Sequence, residues 1–420
     1  RVQLCQHCLS YVQCDIVWLM KAEFEFIPSG SVTSPEGFQA GATYAGIKKG
    51  KDLDLGILAS KVPCVVAGLF TTNRIKAAPV VLCQQRLRDG KASAVVINSG
   101  CANACTGEKG LADAEEMAKL AAEVIGVSPK GVLVASTGVI GQRLPMERLR
   151  AGMVQVMLSR SGGHRLARAM MTTDTVPKEV AVKSDEGGFI IGGVAKGAGM
   201  IHPDLATFLC FLTTDAGTDA DFLKSALRQA ADISFNLVSI DGDTSTNDTV
   251  LLMANGLAGG EPIVSGSRRA EVFQEALNQL CIHLAKAMAR DGEGATKLVE
   301  VTVGGAPNIA AARLAARTIV SSPLVKSAIH GNDPNWGRVV AAVGRSGVEV
   351  VEAKIDLYLG NLCLLKAGCP QPFDREEAVS LLQGSEVSII LELNLGNDTA
   401  TAWGCDLSEE YVTINSHYTT

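Results

Sequence analysis

One stretch governs the interpretation of the whole chain: Gly192-Gly193-Val194-Ala195-Lys196-Gly197-Ala198-Gly199-Met200-Ile201-His202-Pro203-Asp204-Leu205-Ala206-Thr207-Phe208-Leu209-Cys210-Phe211-Leu212. A glycine-rich turn carrying Lys196 leads into an apolar run typical of a buried strand. Cleavage between Ala206 and Thr207 would place the Thr207 hydroxyl beside a new α-amino group. Such an amine has an ordinary pKa of about 8 and suits a general base at neutral pH. On these residues alone, however, an ordinary tight turn before a strand is favoured, because that arrangement is common.

The composition favours a globular protein that acts on small molecules. The chain has 420 residues, of which 47% are hydrophobic, and a formal net charge of -6. This content is enough to bury a substantial core in one large domain or in two to three smaller ones. Lysine and arginine do not cluster, which argues against nucleic-acid partners, and no apolar run is long enough to span a membrane. We therefore expect a soluble protein.

The cysteines do not indicate a disulfide framework or a metal site. Twelve cysteines are scattered along the chain, with two close groups, Cys5/Cys8/Cys14 and Cys101/Cys105. This spacing fits free thiols in a reducing compartment better than a stapled secreted protein. The pair Cys5 and Cys8 is not followed by a second pair of ligands at zinc-finger spacing, and no metal is predicted.

Residue periodicity predicts a mixed α/β fold, with a peripheral leader at residues 1–31. Short apolar runs that predict strands alternate with segments of helical spacing, and together they predict sheets packed under helices. The predicted strands cover 65–70, 94–97, 132–135, 348–350, 355–359 and 389–395. The predicted helices cover 111–125, 222–233, 272–288 and 309–320.

Several polar segments are candidates for a site. Ser136-Thr137-Gly138-Val139-Ile140-Gly141 follows a strand end, where a hydroxyl and backbone amides suit an oxyanion hole, although a plain strand-to-loop turn is the common alternative. The other candidates are Met171–Thr175 with Lys178, Asp241–Thr249, Asp291–Thr296 and Asn332–Arg338. Each of these also fits a structural loop, cap or turn. The glycine turn itself matches neither a Walker loop nor a dinucleotide-binding turn.

Taken in order, these motifs resemble the ornithine acetyltransferase (glutamate N-acetyltransferase) family of arginine biosynthesis. The resemblance extends over residues 33–420 and includes Phe70-Thr71-Thr72-Asn73, Lys196-Gly197-Ala198-Gly199, Ala206-Thr207, Gly242–Thr249, Asp291-Gly292-Glu293-Gly294 and Asp333–Arg338. It implies a layered α/β (α+β) fold of the aminopeptidase and ornithine acetyltransferase type. It also implies self-cleavage between Ala206 and Thr207. The products would be an α chain at 32–206 and a β chain at 207–420, assembled as a heterotetramer of two copies of each.

The resemblance also implies the roles of individual residues. Thr207 matches the nucleophile, and Thr137 and Gly138 match the positions that stabilise the oxyanion. The substrate-binding positions are matched by Thr173, Lys196, Thr207, Glu293, Asn415 and Thr420. On residue chemistry, Lys196 suits a substrate α-carboxylate and Glu293 suits an ammonium.

The implied reaction is a ping-pong transfer of an acetyl group. N2-acetylornithine would acetylate Thr207, and glutamate would then take the acetyl group from the ester. No cofactor is implied, but acetyl-CoA is a second candidate donor. The closing residues, Ala402–Leu407 and 415–420, are most similar to plant forms. A plastid location is therefore expected, with the cytoplasm or mitochondrion as alternatives.

The chain departs from the family pattern near the cleavage point. Asp204 stands where the family usually has Asn, Leu205 and Phe208 replace Met, and Cys101 replaces Asn or Gln. The charge of Asp204 would affect the α-amine or the cleavage rate. Two rival functions follow: an amidohydrolase or aminopeptidase of related fold, in which water resolves the acyl-enzyme, and an uncleaved, inactive ligand-binding protein.

Overall fold

The computed structural model describes residues 24–202 and 208–417, which form two β-sheets with helices between and outside them. The strands are β1 (Glu25–Phe26), β2 (Phe38–Thr43), β3 (Leu55–Phe70), β4 (Lys91–Cys101), β5 (Val132–Val139), β6 (Lys178–Ser184), β7 (Phe189–Lys196), β8 (Leu209–Thr214), β9 (Val238–Ser239), β10 (Thr249–Ala254), β11 (Leu298–Ala306), β12 (Asp356–Leu359), β13 (Leu362–Lys366), β14 (Cys369–Pro370), β15 (Glu386–Glu392) and β16 (Asp398–Cys405).

The helices supply the other layers. They are α1 (Ala78–Arg86), α2 (Gly107–Ile125), α3 (Met146–Met153), α4 (Gly163–Met170), α5 (Ala220–Asp232), α6 (Arg268–Arg290), α7 (Ile309–Val320), α8 (Pro323–His330), α9 (Trp336–Gly344), α10 (Arg375–Gln383) and α11 (Glu409–His417). Several begin at polar residues whose side chains accept backbone amides, as Asp219 does at α5 and Asn308 at α7.

The first sheet has nine strands in the order β1-β6-β7-β8-β10-β3-β4-β5, with β2 paired to β3. Strands β7 and β8 are antiparallel and bring Lys196 opposite Leu209. Strands β4 and β5 are parallel, and their ends bring Gly100 opposite Gly138. Because β8 lies between β7 and β10, residues from both sides of the predicted cleavage point belong to one sheet.

The second sheet has seven strands in the order β14-β13-β12-β15-β11-β16-β9. Helix α6 packs between the two sheets, with contacts to β6 and β7 on one side and to β11 and β16 on the other. Helix α7 covers the outer face of the second sheet, and α1, α2 and α4 cover the outer face of the first. The predicted fold class, layered sheets and helices, is therefore confirmed.

Most elements predicted from the sequence are present, and two details differ. Residues 348–350 were expected to form a strand, but they form a bend and irregular chain after α9. Gly192 and Gly193 were placed in a turn, yet both lie inside strand β7, and the turn begins at Gly197. Neither has room for a side chain, since a Cβ on Gly193 would come within 2.9 Å of Leu280. These glycines allow close packing of the sheet against its neighbours.

Part of the predicted leader belongs to the first sheet. Residues 24–31 of the predicted leader contribute β1, which pairs Glu25 with Lys183 at the edge of the first sheet. Residues 1–23 lie outside the described part of the chain. Within the residues that the structure describes, no helix is long and apolar enough to cross a membrane.

Candidate active site

Most of the predicted site residues line one cavity of about 250 Å³ at the end of the first sheet. They are Thr137, Gly138, Thr173, Lys196, Glu293 and Asn415. Phe208 and Leu209, where the chain resumes after the predicted cleavage point, also line it. Ala206, Thr207 and Thr420 lie outside the described residues. Residues separated by nearly 280 positions in sequence therefore share one wall.

The predicted oxyanion position lies where β5 ends. Gly138 has a φ of 125°, a conformation that L side chains rarely adopt, and a Cβ there would stand 2.7 Å from the amide nitrogen of Cys101. The carbonyl of Ser136, two residues before Gly138, accepts a hydrogen bond from Asn247 Nδ2 at 2.8 Å. Glycine is thus required at 138 by both conformation and space, and the strand end is held in place by a buried amide.

Lys196 ends β7 and is buried in the cavity wall. Its ammonium donates hydrogen bonds to Thr172 Oγ1 at 2.8 Å and to Thr137 Oγ1 at 3.2 Å. Burial lowers the pKa of Lys196 from its ordinary value, and the nearby carboxylate of Asp174 opposes this effect. Lys196 is therefore a cation in the cavity wall, suited to bind a carboxylate.

Glu293 lies in the loop after α6, on the opposite side of the turn that follows Lys196. Its amide donates to the Ala198 carbonyl at 2.8 Å, and its carboxylate accepts from Asn415 Nδ2 at 2.7 Å. A Cβ on Gly199 would come within 2.5 Å of the Glu293 carboxyl carbon. The glycine at 199 therefore leaves the space that this carboxylate occupies.

The polar run at 241–249 forms one edge of the cavity and fixes the turn beside it. Asp241 accepts hydrogen bonds from the amides of Met200 at 2.6 Å and Ile201 at 3.0 Å. The run is itself tied to the chain by Asn73, which donates to the Thr244 carbonyl at 2.9 Å. This segment thus stabilises a strained turn, in which Met200 has a φ of 55°.

Asp248 lines the cavity. From the sequence it was identified only as part of the polar run at 241–249, with no role of its own. Burial raises its pKa well above the ordinary range, and Ser245 and Lys196 only partly oppose this effect. Among the described residues, its Oδ2 atom has no hydrogen-bond partner. This environment therefore disfavours the charged form of the Asp248 carboxyl.

Sequence reasoning also missed Tyr411, which lines the cavity from α11. Tyr411 and Asn415 are four residues apart and so share one face of that helix. Gly294 allows the helix to approach, because a Cβ there would come within 2.5 Å of the Tyr411 amide nitrogen. The four-residue spacing was the signal that could have placed both residues on the cavity side.

One predicted rim segment lies elsewhere. Asn332–Arg338 was expected beside the site, but Asp333, Asn335 and Trp336 line a small, mostly apolar hollow against β12 and α8. The tryptophan packs against the core of the second sheet. The segment forms a tight turn into α9, which is the alternative that its composition also allowed, and it does not line the site cavity.

The departures from the family pattern have partly visible surroundings. Phe208 is buried with its ring centroid 4.5 Å from that of Phe235, so the larger ring is accommodated in the core. Cys101 is buried and donates to the Gln142 carbonyl at 3.2 Å, and burial raises the pKa of its thiol. Asp204 and Leu205 lie outside the described residues.

Sequence comparison covers nearly the whole chain. A protein of Dehalococcoides mccartyi described as the arginine biosynthesis bifunctional protein ArgJ is 52% identical over 405 residues, 96% of this chain and 100% of its own length. The protein of the same description from Symbiobacterium thermophilum is 53% identical over 399 residues, 93% of this chain and 99% of its own. The crystal structure of Mycobacterium tuberculosis ornithine acetyltransferase complexed with ornithine is 43% identical, covers 44% of this chain and 100% of the solved chain, and has a TM-score of 0.42.

The family model and the two sequence relatives define the class as an acyltransferase of arginine biosynthesis. The ArgJ family model matches residues 39–420, and the chain belongs to the ArgJ family. The family and the enzyme class predicted from the sequence, a glutamate N-acetyltransferase, are therefore confirmed. The rival functions, a hydrolase and an inactive binding protein, are not favoured.

The predicted plastid location stays open after these comparisons. The relatives named above are bacterial, so they give the predicted plastid location no support. Among the described residues, no group of histidine, cysteine and carboxylate side chains could hold a metal ion.

Proposed function

We propose that the cavity transfers an acetyl group from N2-acetylornithine to glutamate through an acetyl ester of Thr207. The observation that carries this proposal is the convergence of Thr137, Gly138, Lys196 and Glu293 on one cavity whose wall includes Phe208. Thr207 immediately precedes Phe208 in the sequence, which supports its assignment as the nucleophile that serves this cavity.

The first half-reaction forms the ester. Cleavage after Ala206 frees the α-amine of Thr207, which takes the proton from its own hydroxyl as the oxygen attacks the acetyl carbonyl. The developing oxyanion lies at Gly138 and Thr137, where a fixed donor typically contributes about 3 to 4 kcal/mol. The C–N bond of the amide then breaks, and the proton passes to the departing amine of ornithine.

The second half-reaction runs the same steps in reverse. The amine of glutamate attacks the ester carbonyl, loses a proton to the α-amine of Thr207, and the ester C–O bond breaks to restore the hydroxyl. The products are N-acetylglutamate and free Thr207. The transfer is therefore balanced without a cofactor, and acetyl-CoA would enter by the same first step with a thiolate as the leaving group.

Substrate binding follows from the charges in the cavity wall. Lys196 is the cation for the α-carboxylate that both amino acids share, and Glu293 with Asn415 holds an ammonium. Thr173 lines the same wall, and Thr420 is proposed to complete it. The α and β chains formed by the cleavage would remain together, and we include the heterotetramer of two copies of each in this proposal.

Intact mass of the denatured protein tests the cleavage. Two fragments, ending at Ala206 and beginning at Thr207, are expected, and Thr207→Ala should leave one chain without acetyl transfer. Thr207→Ser keeps a hydroxyl and serves as the matched control, with measurable cleavage and transfer. A single intact parent chain that still transfers acetyl groups would contradict the mechanism.

The acceptor and donor are tested during turnover. Addition of glutamate to enzyme turning over N2-acetylornithine should yield N-acetylglutamate, whereas free acetate as the main product would identify a hydrolase. Replacement of N2-acetylornithine by acetyl-CoA tests the second donor. Native mass before denaturation tests the assembly of the two chains.

A further inference from the structure

A buried network of charges lies behind the cavity wall. The ammonium of Lys178, at the start of β6, donates to Asp174 Oδ1 at 2.7 Å and to Asp291 Oδ2 at 2.5 Å. The side chains of the three residues are exposed by only 1%, 0% and 6%, respectively. Such a pair of buried ion pairs is costly to form unless each charge is fully partnered. Its position therefore calls for an explanation beyond stability.

The first carboxylate of the network holds the lysine side of the cavity. Asp174 accepts the amide of Gly197 at 2.7 Å and the amide of Thr172 at 3.0 Å. It also lies 3.9 Å from the Lys196 ammonium. Asp174 thus contacts the residue after Lys196 and the residue whose hydroxyl accepts from Lys196, and it fixes both.

The second carboxylate holds the glutamate side. Asp291 follows α6 and lies two residues before Glu293 in the sequence. Its carboxylate accepts a hydrogen bond from the amide of Thr175 at 3.0 Å. The amide of Glu293 then donates to the Ala198 carbonyl in the turn after Lys196. The loops that carry the two charged substrate-binding residues are thus joined through Lys178.

We propose that Lys178 is a positioning residue for substrate binding, which sets the separation and orientation of Lys196 through Asp174 and of Glu293 through Asp291. This inference rests on the proposed function, because it takes Lys196 and Glu293 to be the groups that bind the amino-acid substrate. Lys178 itself does not line the cavity. The network joins residues from before and after the predicted cleavage point, so it also keeps the two binding groups in register across the two chains.

The charges around Lys196 predict the sign of a pH effect. The facing groups are the cations Lys48 and Lys178 and the carboxyl groups Asp174, Asp248 and Glu293. Lys178 lowers the pKa of Lys196, and Asp174 raises it. Lys196 binds a carboxylate only while protonated, so KM rises as the pH passes above its pKa. We call this rise of KM at high pH the alkaline limb of the KM profile. Loss of Lys178 raises the pKa of Lys196 and moves the alkaline limb to higher pH, whereas loss of the Asp174 charge lowers that pKa and moves the limb to lower pH.

The test is the pH dependence of KM for N2-acetylornithine in Lys178→Met and Asp174→Asn, measured on fully cleaved protein. We expect KM at neutral pH to rise about tenfold in both variants, with a smaller change in kcat. The alkaline limbs should shift in opposite directions. A merely structural role would lower the amount of folded enzyme without moving either limb. If Lys178→Met does not fold, Asp291→Asn decides, because it weakens the Lys178 contact on the Glu293 side and leaves the Asp174 charge beside Lys196. KM must then rise, and an unchanged KM would overturn the positioning role.

Lys326→Met is the matched control, because Lys326 is also buried but its ammonium donates to the Cys405 carbonyl rather than to Asp174 or Asp291. Its alkaline limb should coincide with that of the parent. Lys196→Met and Glu293→Gln separate the two proposals. If these two variants leave KM unchanged, the proposed binding roles fail. If they raise KM while the limbs of Lys178→Met and Asp174→Asn stay in place, the positioning role is overturned and the binding roles stand.

Discussion

Asn415 donates a hydrogen bond to the carboxylate of Glu293 at 2.7 Å, which ties the last helix of the described chain to the cavity. The two residues are 122 positions apart in sequence. From the sequence, the C-terminal residues resemble a frayed tail unless a family resemblance gives them a role. The contact makes α11 part of the cavity wall.

Loss of this contact should weaken substrate binding. We expect Asn415→Ala to raise KM about tenfold with little change in kcat, since a hydrogen bond to a charged group contributes about 1.5 to 3 kcal/mol. Ser416→Ala, one residue further along the helix and exposed, is the control and should behave as the parent. Equal kinetics in both variants would show that Asn415 does not act through Glu293.

The space at Gly199 gives a second prediction. Gly199→Ala places a methyl group within 2.5 Å of the Glu293 carboxyl carbon, so the carboxylate must move. We expect a clear rise in KM for N2-acetylornithine and a smaller loss of stability. Gly344→Ala, where nothing lies within 4 Å of the added methyl group, controls for the substitution itself. An unchanged KM in Gly199→Ala would mean that Glu293 does not bind the substrate.

Substitution of Gly138 should lower kcat rather than raise KM. Gly138→Ala combines an unfavourable φ of 125° with a clash against the strand end at Cys101. We expect kcat to fall about a hundredfold or more, as for loss of an oxyanion donor. Gly141→Ala is the matched control, because its φ is also positive, at 82°, but its methyl group meets nothing within 4 Å. Similar losses in both variants would assign the effect to backbone strain alone.

Acid stability depends on Asp406, which anchors the chain before α11. Burial alone would raise the pKa of this carboxyl, but hydrogen bonds from Thr296 and His330 outweigh burial and lower it from its ordinary value of 3.8. The stabilisation is thus present above that value and is lost as the pH falls through the lower, folded-state pKa. Asp406→Asn should reduce the free energy of unfolding at neutral pH by about 2 kcal/mol and flatten its acid dependence. The exposed Asp398→Asn should do neither, and denaturant titrations from pH 2 to 7 measure both.

The periodic elements were predictable, whereas the associations between distant segments were not. Helix Ile309–Val320 was predicted with its observed bounds because its apolar spacing is regular. Residues 348–350 alternate like a strand but pair with nothing, since pairing depends on a partner that the segment itself does not encode.

The family resemblance predicted most of the named residues that line the cavity, but it did not predict the contacts that hold them in place. Lys196 and Glu293 were placed together, but the link through Lys178 depends on distances between β6 and the end of α6. The position of Trp336 was not predictable from composition. Polar residues beside an aromatic residue occur both at the rim of a binding site and in a turn that leads into a helix. The composition of a segment indicates which chemical groups it carries, but its position in the fold depends on how it packs against other segments.

The strand order of the first sheet has a consequence for the proposed cleavage. A cut at residue 206 would leave β7 and β8 as neighbours on different polypeptides, with β10 lying between β8 and β3. Strands β8 and β10 of the second fragment would then be enclosed between β7 and β3 of the first. The fragments could not separate without breaking both the β7–β8 and the β10–β3 ladders and exposing apolar strand faces, so the cut would free an amine while the sheet stays continuous.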